Sequence, residues 1–325
     1  MKRLLIITLS LFVLGVSGCG KQQIDESAEL QEVTVKLKWI HQAQFAGNYV
    51  AKDMGLYEDE GLIVDLQPFS FEEPTIDAVV NGDADFGITG ADELLVARSN
   101  GMPIKAFAVI FRTNPVCAYS LKESGITKPQ DLIGKTVGLE RGTNVDTLYY
   151  VMMSRLGIDR SQIDEVTIGY DATELLNGDT DVSTGYIINE PNQAVEAGHE
   201  VNIILMADYG ANMYADVLFA TEDTIENKPE LVERFLSATL DGWKYAIENE
   251  DEAVEITMNY ATDSTKSHQA YMLKQSVPLI HTGDKPIGWM TETHWNEVEK
   301  VLVEQNILEK EVDVDTAYTN EFLNN

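Results

Sequence analysis

Residues 38–57 read KWIHQAQFAGNYVAKDMGLY, and they place a strand end, a polar loop and a helix in succession. The β-branched segment 33–37 predicts the strand, and the small and apolar residues 45–54 predict a helix that ends at Gly55. In open α/β sheets, ligands bind beyond the carboxyl ends of strands, where the next helix presents free N–H groups. The loop between strand and helix, with Trp39, His41, Gln42 and Gln44, is therefore a predicted binding segment for a flat, polar ring.

The first 18 residues predict an export signal. Lys2 and Arg3 precede an apolar run, 4–16, which is too short to span a bilayer comfortably, and Ser17-Gly18 supply the small residues that a signal peptidase needs. Residues 16–19 resemble a bacterial lipobox, in which Cys19 would be acylated and would anchor the chain to the outer face of the cell membrane. The alternative is an ordinary secretion signal that ends near a cysteine. The polar segment 19–32 predicts a tether.

Charge and cysteine content restrict the possible functions. The net charge of −31 disfavours nucleic-acid binding, which needs clustered Lys and Arg. With Cys19 acylated, Cys117 has no cysteine partner, so neither a disulfide nor a zinc-type spacing is expected. Cys117 lies in an apolar segment and is predicted to be a small core residue. We expect neither a metal nor a cofactor.

An internal repeat divides the chain into two similar units. A shift of 102 positions aligns residues 34–37 with 136–139, and a shift of 96 aligns Asn-Gly-Asp-x-Asp at 81–85 with the same pattern at 177–181. Both copies run strand, loop, helix, glycine, strand. Strands that alternate with helices predict mostly parallel sheets with right-handed crossovers.

Two such units predict a two-lobed α/β fold with a ligand cleft between the lobes. Segments 112–121 and 209–221 are the predicted crossovers. Apolar residues at helical spacing from 228 onward predict C-terminal helices that pack on the first lobe. The expected boundaries are 33–113 plus 216–325 for lobe 1 and 114–215 for lobe 2.

Four segments resemble the NMT1/THI5-like branch of ABC-transporter substrate-binding lipoproteins, which are type II periplasmic binding proteins. They are KWIHQAQFAGNYVAKDMGLYEDEGL at 38–62, NGDADFGITGADELLVARSNGMPIKAFAVI at 81–110, DLIGKTVGLERGT at 131–143 and GYIINEP at 185–191. The resemblance implies a solute receptor, expected to be a monomer, that closes around its ligand and docks on ABC permease and ATPase subunits. It also implies a thiamine pyrimidine precursor, such as formylaminopyrimidine or hydroxymethylpyrimidine, or riboflavin as ligand.

The repeat brings loops from both lobes to the predicted cleft. Trp39 and Tyr186 are candidates to sandwich an aromatic ring. The resemblance implies that an aromatic residue at position 39 and an acid at position 190 hold an aminopyrimidine. Residues 142–144 open a helix and are predicted hydrogen-bond donors. The predicted ligand-binding residues are Trp39, Gln42, Gln44, Thr89, Gly142, Thr143, Asn144, Tyr186, Asn189 and Glu190.

Each of these predictions has a structural alternative. Trp39 and Tyr186 would alternatively close the hydrophobic ends of their sheets, and Thr89 and Glu190 would alternatively cap helices. The functional alternatives are a sulfonate or nitrate receptor, a sensor module, and a pyrimidine synthase of the same fold. The synthase would need a Schiff-base lysine and a cysteine-rich iron-binding motif. The chain has a single cysteine beyond Cys19, so no enzymatic activity is expected.

Overall fold

The computed structural model describes residues 30–283, 285–309 and 312–323. The predicted leader, Cys19 and most of the tether lie outside the described residues. Within those ranges, no helix combines the length and the apolar character needed to cross a membrane.

The first sheet has five strands, in the order β2-β1-β3-β10-β4. Their bounds are β1 (Gln31–Lys36), β2 (Leu62–Gln67), β3 (Phe86–Thr89), β4 (Ile104–Val109) and β10 (Val217–Thr221). Strands β1, β2, β3 and β4 share one direction, and β10 runs antiparallel between β3 and β4. In β2, Leu62, Val64 and Leu66 are buried while the intervening residues are exposed, as expected for a strand with one covered face.

The second sheet repeats this arrangement, in the order β7-β6-β8-β5-β9. Its strands are β5 (Val116–Leu121), β6 (Thr136–Leu139), β7 (Asp164–Thr167), β8 (Val182–Tyr186) and β9 (Val201–Leu205). Here β5 is the antiparallel strand, between β8 and β9. Each sheet therefore takes one strand from the chain segment that enters from the other lobe. The crossovers predicted at 112–121 and 209–221 end in these strands, which leaves 110–115 and 206–216 as the connecting segments.

The repeated Asn-Gly-Asp-x-Asp pattern has the same structural role in both lobes. The last Asp of the pattern accepts a hydrogen bond from the backbone of the first strand: Thr34 N–H donates to Asp85 Oδ2, and Thr136 N–H donates to Asp181 Oδ2, both at 2.9 Å. The backbone N–H of each Asp donates in return to the carbonyl of the same strand residue, again at 2.9 Å. This reciprocal pairing positions β3 beside β1 in the first sheet and β8 beside β6 in the second.

Twelve α-helices lie within the described residues. Those of the first lobe before the crossover are α1 (Ala46–Asp53), α2 (Leu56–Asp59), α3 (Thr75–Asn81) and α4 (Ala91–Ser99); those of the second are α5 (Asn144–Leu156), α6 (Thr173–Asn177) and α7 (Glu190–Glu196). The remainder are α8 (Glu222–Asn227), α9 (Pro229–Glu248), α10 (Glu250–Thr257), α11 (Lys266–Ile280) and α12 (Glu292–Glu304).

The C-terminal helices pack on the first lobe, as predicted. Helix α9 lies along α1, and α12 lies against α4. Phe235 of α9 stacks on Phe86 of β3 with ring centroids 4.3 Å apart, which joins the helix to the sheet. Cys117 is buried in a small apolar cluster of the second lobe, as predicted for a core residue.

Helices α1 and α9 cross closely because glycines face each other at the crossing. A Cβ on Gly242 would overlap the backbone carbonyl of Gly47 and would lie 2.8 Å from Ala51 Cβ. Replacing a helical glycine by alanine normally adds stability. For Gly242→Ala we expect the opposite sign, a loss of about 2 kcal/mol or more in the free energy of unfolding, since backbone atoms must move apart.

Thermal and urea unfolding of Gly242→Ala measure this effect. Ser237→Ala, at an exposed position of the same helix, is the matched control and should leave stability unchanged or slightly raised. A stabilised Gly242→Ala variant would contradict the close crossing.

Candidate functional site

A cavity of about 290 Å³ lies between the two lobes, beside the carboxyl ends of β1 and β6. Its lining comes from loops and helix starts of both lobes. The lining residues are Lys38, Trp39, Gln42, Gln44, Phe69, Phe71, Glu93, Glu140, Gly142, Thr143, Asn144, Val145, Tyr170, Tyr186, Asn189 and Glu190.

Nine of the ten predicted ligand-binding residues are in this lining, and Thr89 is not. Thr89 is 1% exposed at the end of β3, and its hydroxyl donates to Glu93 Oε2. The same oxygen accepts from Gly90 N–H at 3.1 Å, which caps α4. The structure therefore places Thr89 in a capping network beneath the cavity wall.

Aromatic rings form the mouth of the cavity. Trp39 lies near-parallel to Phe69 at 6.1 Å between centroids, and its edge meets Tyr170 of the opposite lobe at 5.7 Å. Phe71 packs edge-on against Phe69 and is itself 81% exposed. Trp39 thus contacts the second lobe across the cleft.

Tyr186 lies deeper, where its hydroxyl pairs with the side chain of Asn144 at 2.9 Å. Burial raises the pKa of Tyr186 to about 12, so the phenol is neutral at physiological pH. Lys38 Nζ of the first lobe lies 5.9 Å from the centroid of the Tyr186 ring. Both residues proposed to sandwich a ring therefore face the same cavity.

Glu190 presents a buried carboxyl group to the cavity. Its Oε2 accepts from Tyr186 N–H at 2.7 Å, and its Oε1 accepts from the side chain of Asn189. The carboxyl lies against Gly185, where a Cβ would be 2.6 Å from Oε2, so a larger residue would displace it. Burial raises the pKa of Glu190 to about 7. Its hydrogen bonds fix it as an acceptor at the cavity wall.

A chain of hydrogen bonds and one ion pair fixes the polar groups of the first lobe. Gln42 Nε2 donates to Gln44 Oε1 at 2.7 Å, and Gln44 Nε2 donates to both oxygens of Asp216 at 2.9 and 3.0 Å. Lys38 Nζ lies 3.5 Å from Asp216 Oδ1. Burial opposes the charge of Lys38, but the carboxylates around it, including Asp216, raise its pKa overall. Lys38 is therefore a protonated, paired ammonium group.

At the start of α5, some of the polar groups predicted to meet a ligand have partners within the protein. Gly142 N–H donates to Asp146 Oδ2 at 3.0 Å. The Thr143 hydroxyl accepts from Val145 N–H at 3.1 Å and donates to Glu140 O at 2.9 Å. The Gly142 N–H, the Thr143 hydroxyl and the Val145 N–H therefore have hydrogen-bond partners within this loop and the first turn of α5.

Seven lining residues were not among the predicted binding residues: Lys38, Phe69, Phe71, Glu93, Glu140, Val145 and Tyr170. The repeat contains the signal for several of them. Lys38 and Glu140 are 102 positions apart and follow β1 and β6, the equivalent strands of the two repeats, while Phe69 and Tyr170 occupy the loops after β2 and β7. Extending the repeat to these loops would have identified them.

A family model described as NMT1/THI5 like matches residues 42–253. The chain belongs to the NMT1/THI5-like family. It is 28% identical to the riboflavin-binding protein RibY of Chloroflexus aurantiacus, over 90% of this chain and 86% of that protein. It is 25% identical to the formylaminopyrimidine-binding protein of Halalkalibacterium halodurans, over 98% and 99%. A third relative, at 26% identity over 90% and 92%, is the 4-amino-5-hydroxymethyl-2-methylpyrimidine phosphate synthase of Legionella pneumophila.

The fold is that of type II periplasmic binding proteins. The periplasmic aliphatic sulphonate binding protein SsuA of Escherichia coli superposes with a TM-score of 0.72 over 88% of this chain and 97% of that one, at 14% identity. At this identity the similarity establishes the architecture alone. This NMT1/THI5-like protein thus has two lobes, each with a mixed sheet flanked by helices, as predicted.

Proposed function

We propose that this protein is the solute-binding receptor of an ABC importer and that it captures a small heteroaromatic nutrient of the aminopyrimidine type. The observation that carries the proposal is a single cavity between the lobes that combines Trp39 and Tyr186 with the buried carboxyl of Glu190. An aromatic surface binds the ring face, and the carboxylate accepts from an amino group on the ring edge. The relatives named as formylaminopyrimidine- and riboflavin-binding proteins support this assignment.

The polar groups around the cavity favour an amine-bearing ligand over an anion. Three carboxyl groups, those of Glu93, Glu140 and Glu190, line it. Among the described lining residues Lys38 is the only basic side chain, and it is paired with Asp216. A sulfonate would find no unpaired basic side chain in the described lining, so we place the sulfonate or nitrate alternative below the aminopyrimidine.

Riboflavin is the second candidate, supported by a second cavity of about 430 Å³ that adjoins the first. The two cavities share Glu93, Gly142, Thr143 and Asn144. The first cavity lies near the lower end of the volumes typical of small-molecule sites, about 300–1,000 Å³, and suits a single ring. A flavin would extend from the first cavity into the second.

The cavity chemistry also argues against a synthase. An imine-forming lysine must be available as a neutral amine, and the lysine that lines this cavity is held as an ammonium ion by Asp216. Burial raises the pKa of the Cys117 thiol, and the residue lies outside the cavity lining. A sensor module would use the same cleft, and only the membrane partner would distinguish it from a receptor.

Ligand capture would proceed by closure of the lobes about the two connecting segments. These segments are tied to each other: Asn114 N–H donates to Asn212 Oδ1 at 2.8 Å, and Asn212 Nδ2 donates to Arg112 O at 3.4 Å. A ligand favours the closed form only through contacts with both lobes, and the lining supplies residues from both. We propose that the closed form docks on permease and ATPase subunits, with Cys19 as the lipid anchor outside the cell membrane.

Two measurements test the proposal. Mass spectrometry of small molecules released from freshly purified protein should identify a heteroaromatic compound, and thermal-shift screening should show stabilisation by formylaminopyrimidine or riboflavin. A ligand at 100 times its dissociation constant raises the unfolding free energy by about 2.7 kcal/mol. Stabilisation by taurine or alkanesulfonates, with no response to either heterocycle, would contradict the proposal.

Glu190→Gln should weaken binding of formylaminopyrimidine about 10-fold or more, because a charge-assisted hydrogen bond contributes about 1.5–3 kcal/mol. Glu190 must be ionised to accept from the amine, and its pKa of about 7 means that wild-type affinity should fall as the pH drops below 7. Calorimetry between pH 5 and 8 measures both effects. Glu196→Gln, at an exposed position of the same helix, is the control and should retain wild-type affinity. Unchanged affinity of Glu190→Gln would contradict its role.

A further inference from the structure

Glu140 occupies in the second lobe the position that Lys38 occupies in the first. Lys38 lies two residues after the end of β1, Glu140 directly follows β6, and both line the cavity. Lys38 has a protein partner in Asp216. Glu140 is 7% exposed, and its Oε1 is enclosed without a hydrogen-bond partner among the described residues.

An enclosed carboxyl oxygen without a partner is unfavourable, because burial removes its water and nothing replaces the lost hydrogen bonds. The cost for an isolated buried polar group is about 1–3 kcal/mol. Because Oε1 is enclosed by protein, a bound molecule supplies the missing partner only if the Glu140 side chain turns toward the cavity that it lines. Because Glu140 belongs to the second lobe, its contact with a ligand held by the first lobe would form when the lobes close.

The neighbours of Glu140 determine its charge. Glu190 of α7 interacts with it electrostatically, and Cys117 and Tyr119 of β5 are neutral because burial raises the pKa of each. From the first lobe, Glu93 and Lys38 line the same cavity, with Lys38 paired to Asp216. The adjacent cation, Arg141, donates to Tyr150 and pairs with Glu165. No free cation in the described part of the chain compensates a charge on Glu140.

The charge on one of two interacting buried carboxyl groups disfavours ionisation of the other. Glu190 is the one that ionises first, since Tyr186 N–H and Asn189 donate to it. Burial, and then the charge of Glu190, raises the pKa of Glu140 to about 9. Glu140 therefore keeps its proton at neutral pH and has an O–H group to donate.

We propose that Glu140 is a specificity-determining residue of the cleft, which donates a hydrogen bond from its protonated carboxyl group to an acceptor atom on the ligand ring. The proposal rests on the proposed function and narrows it. With Glu190 as acceptor and Glu140 as donor, the cleft selects rings that carry a hydrogen-bond donor near an acceptor, such as an amino group beside a ring nitrogen. Rings that lack the acceptor bind more weakly.

The protonation state is tested first on the free protein, without any ligand. Infrared difference spectra between wild type and Glu140→Gln at pH 7 should show the C=O band of a protonated carboxylic acid in the wild type. The band should disappear as the pH rises above about 9. A carboxylate band at pH 7 assigned to Glu140 would overturn the proposal whatever the ligand.

The ligand contact is tested by calorimetry with formylaminopyrimidine and with riboflavin. Glu140→Ala should lose ~10-fold or more in affinity at pH 7, and Glu140→Gln, which retains an N–H donor, should stay within ~3-fold of wild type. Wild-type affinity should fall above pH 9, and this fall should be absent in Glu140→Gln. Glu123→Ala, an exposed glutamate of the same lobe, is the control for surface charge.

The possible outcomes distinguish failure of the role proposed for Glu140 from failure of the proposed function. If wild type binds either solute and Glu140→Ala binds equally well, the role of Glu140 is refuted while the proposed function stands. If wild type binds neither solute, the proposed function and the ligand contact of Glu140 both fail. If Glu140→Gln and Glu140→Ala lose affinity equally, donation from this position is refuted.

Discussion

Trp39→Ala should reduce affinity for formylaminopyrimidine by ~30- to 1,000-fold, which corresponds to about 2–4 kcal/mol. Trp39 is the aromatic residue of the first lobe that both lines the cavity and reaches the second lobe, through Tyr170. Its removal deletes the apolar surface for the ring and opens the mouth of the cleft to water. Aromatic anchors that become buried against a ligand contribute a large part of binding energy.

Calorimetry on folded protein measures the loss, and circular dichroism confirms that the variant is folded. Trp39→Phe keeps an aromatic face and should recover most of the affinity. Phe71→Ala is the matched control, because Phe71 lines the same mouth but is 81% exposed, and we expect an effect of ~3-fold or less. Wild-type affinity in Trp39→Ala would exclude Trp39 from the binding surface.

Lys38→Met should lower the free energy of unfolding by about 3 kcal/mol. Asp216 is 1% exposed, and its charge is compensated by Lys38, with Gln44 as the hydrogen-bond donor. Removal of the ammonium group leaves a buried carboxylate without a cation. Burial already raises the pKa of Asp216 above its unfolded value. An acid with a raised folded-state pKa loses stability as the pH increases, so the deficit should be smaller near pH 4 than at pH 8.

Chemical denaturation at both pH values measures this deficit. Lys36→Met is the control: Lys36 is also buried, but its partner Glu73 has a side chain that is 43% exposed, so a loss below about 1 kcal/mol is expected. Adding Asp216→Asn to Lys38→Met should restore much of the stability, because the neutral amide needs no cation. A deficit that is the same at both pH values and is not rescued would assign the effect to packing rather than charge.

The fold could be predicted from the sequence because the patterns that indicate it are local and occur in both lobes. Asp85 and Asp181 terminate the same pattern in each lobe and make the same backbone hydrogen bonds, so the repeat reported a true structural equivalence. The antiparallel strands β5 and β10 were not identified as sheet members, although each lies in a predicted crossover. The apolar sequence of each strand does not indicate which sheet the strand joins, because long-range packing determines the pairing.

The candidate site could be predicted in part from the sequence for the same reason. Loops after the first and third strands were identified because the strand ends locate them, and nine of the ten residues proposed there line the cavity. The partner of each polar group was not predictable from local sequence. Asp216 binds Gln44 from 172 positions away, and Asp146 binds the Gly142 N–H that was expected to face the ligand. Such pairings depend on the folded arrangement and decide which groups stay free for a solute.

The most direct test is a crystal structure of the protein with formylaminopyrimidine or riboflavin, whichever binds more tightly. We expect one molecule between the lobes, with its ring against Trp39 and Tyr186, an amino or imino group at Glu190 and a ring acceptor at Glu140. A ligand bound outside this cavity, or a ring turned away from Trp39 and Glu190, would contradict the account.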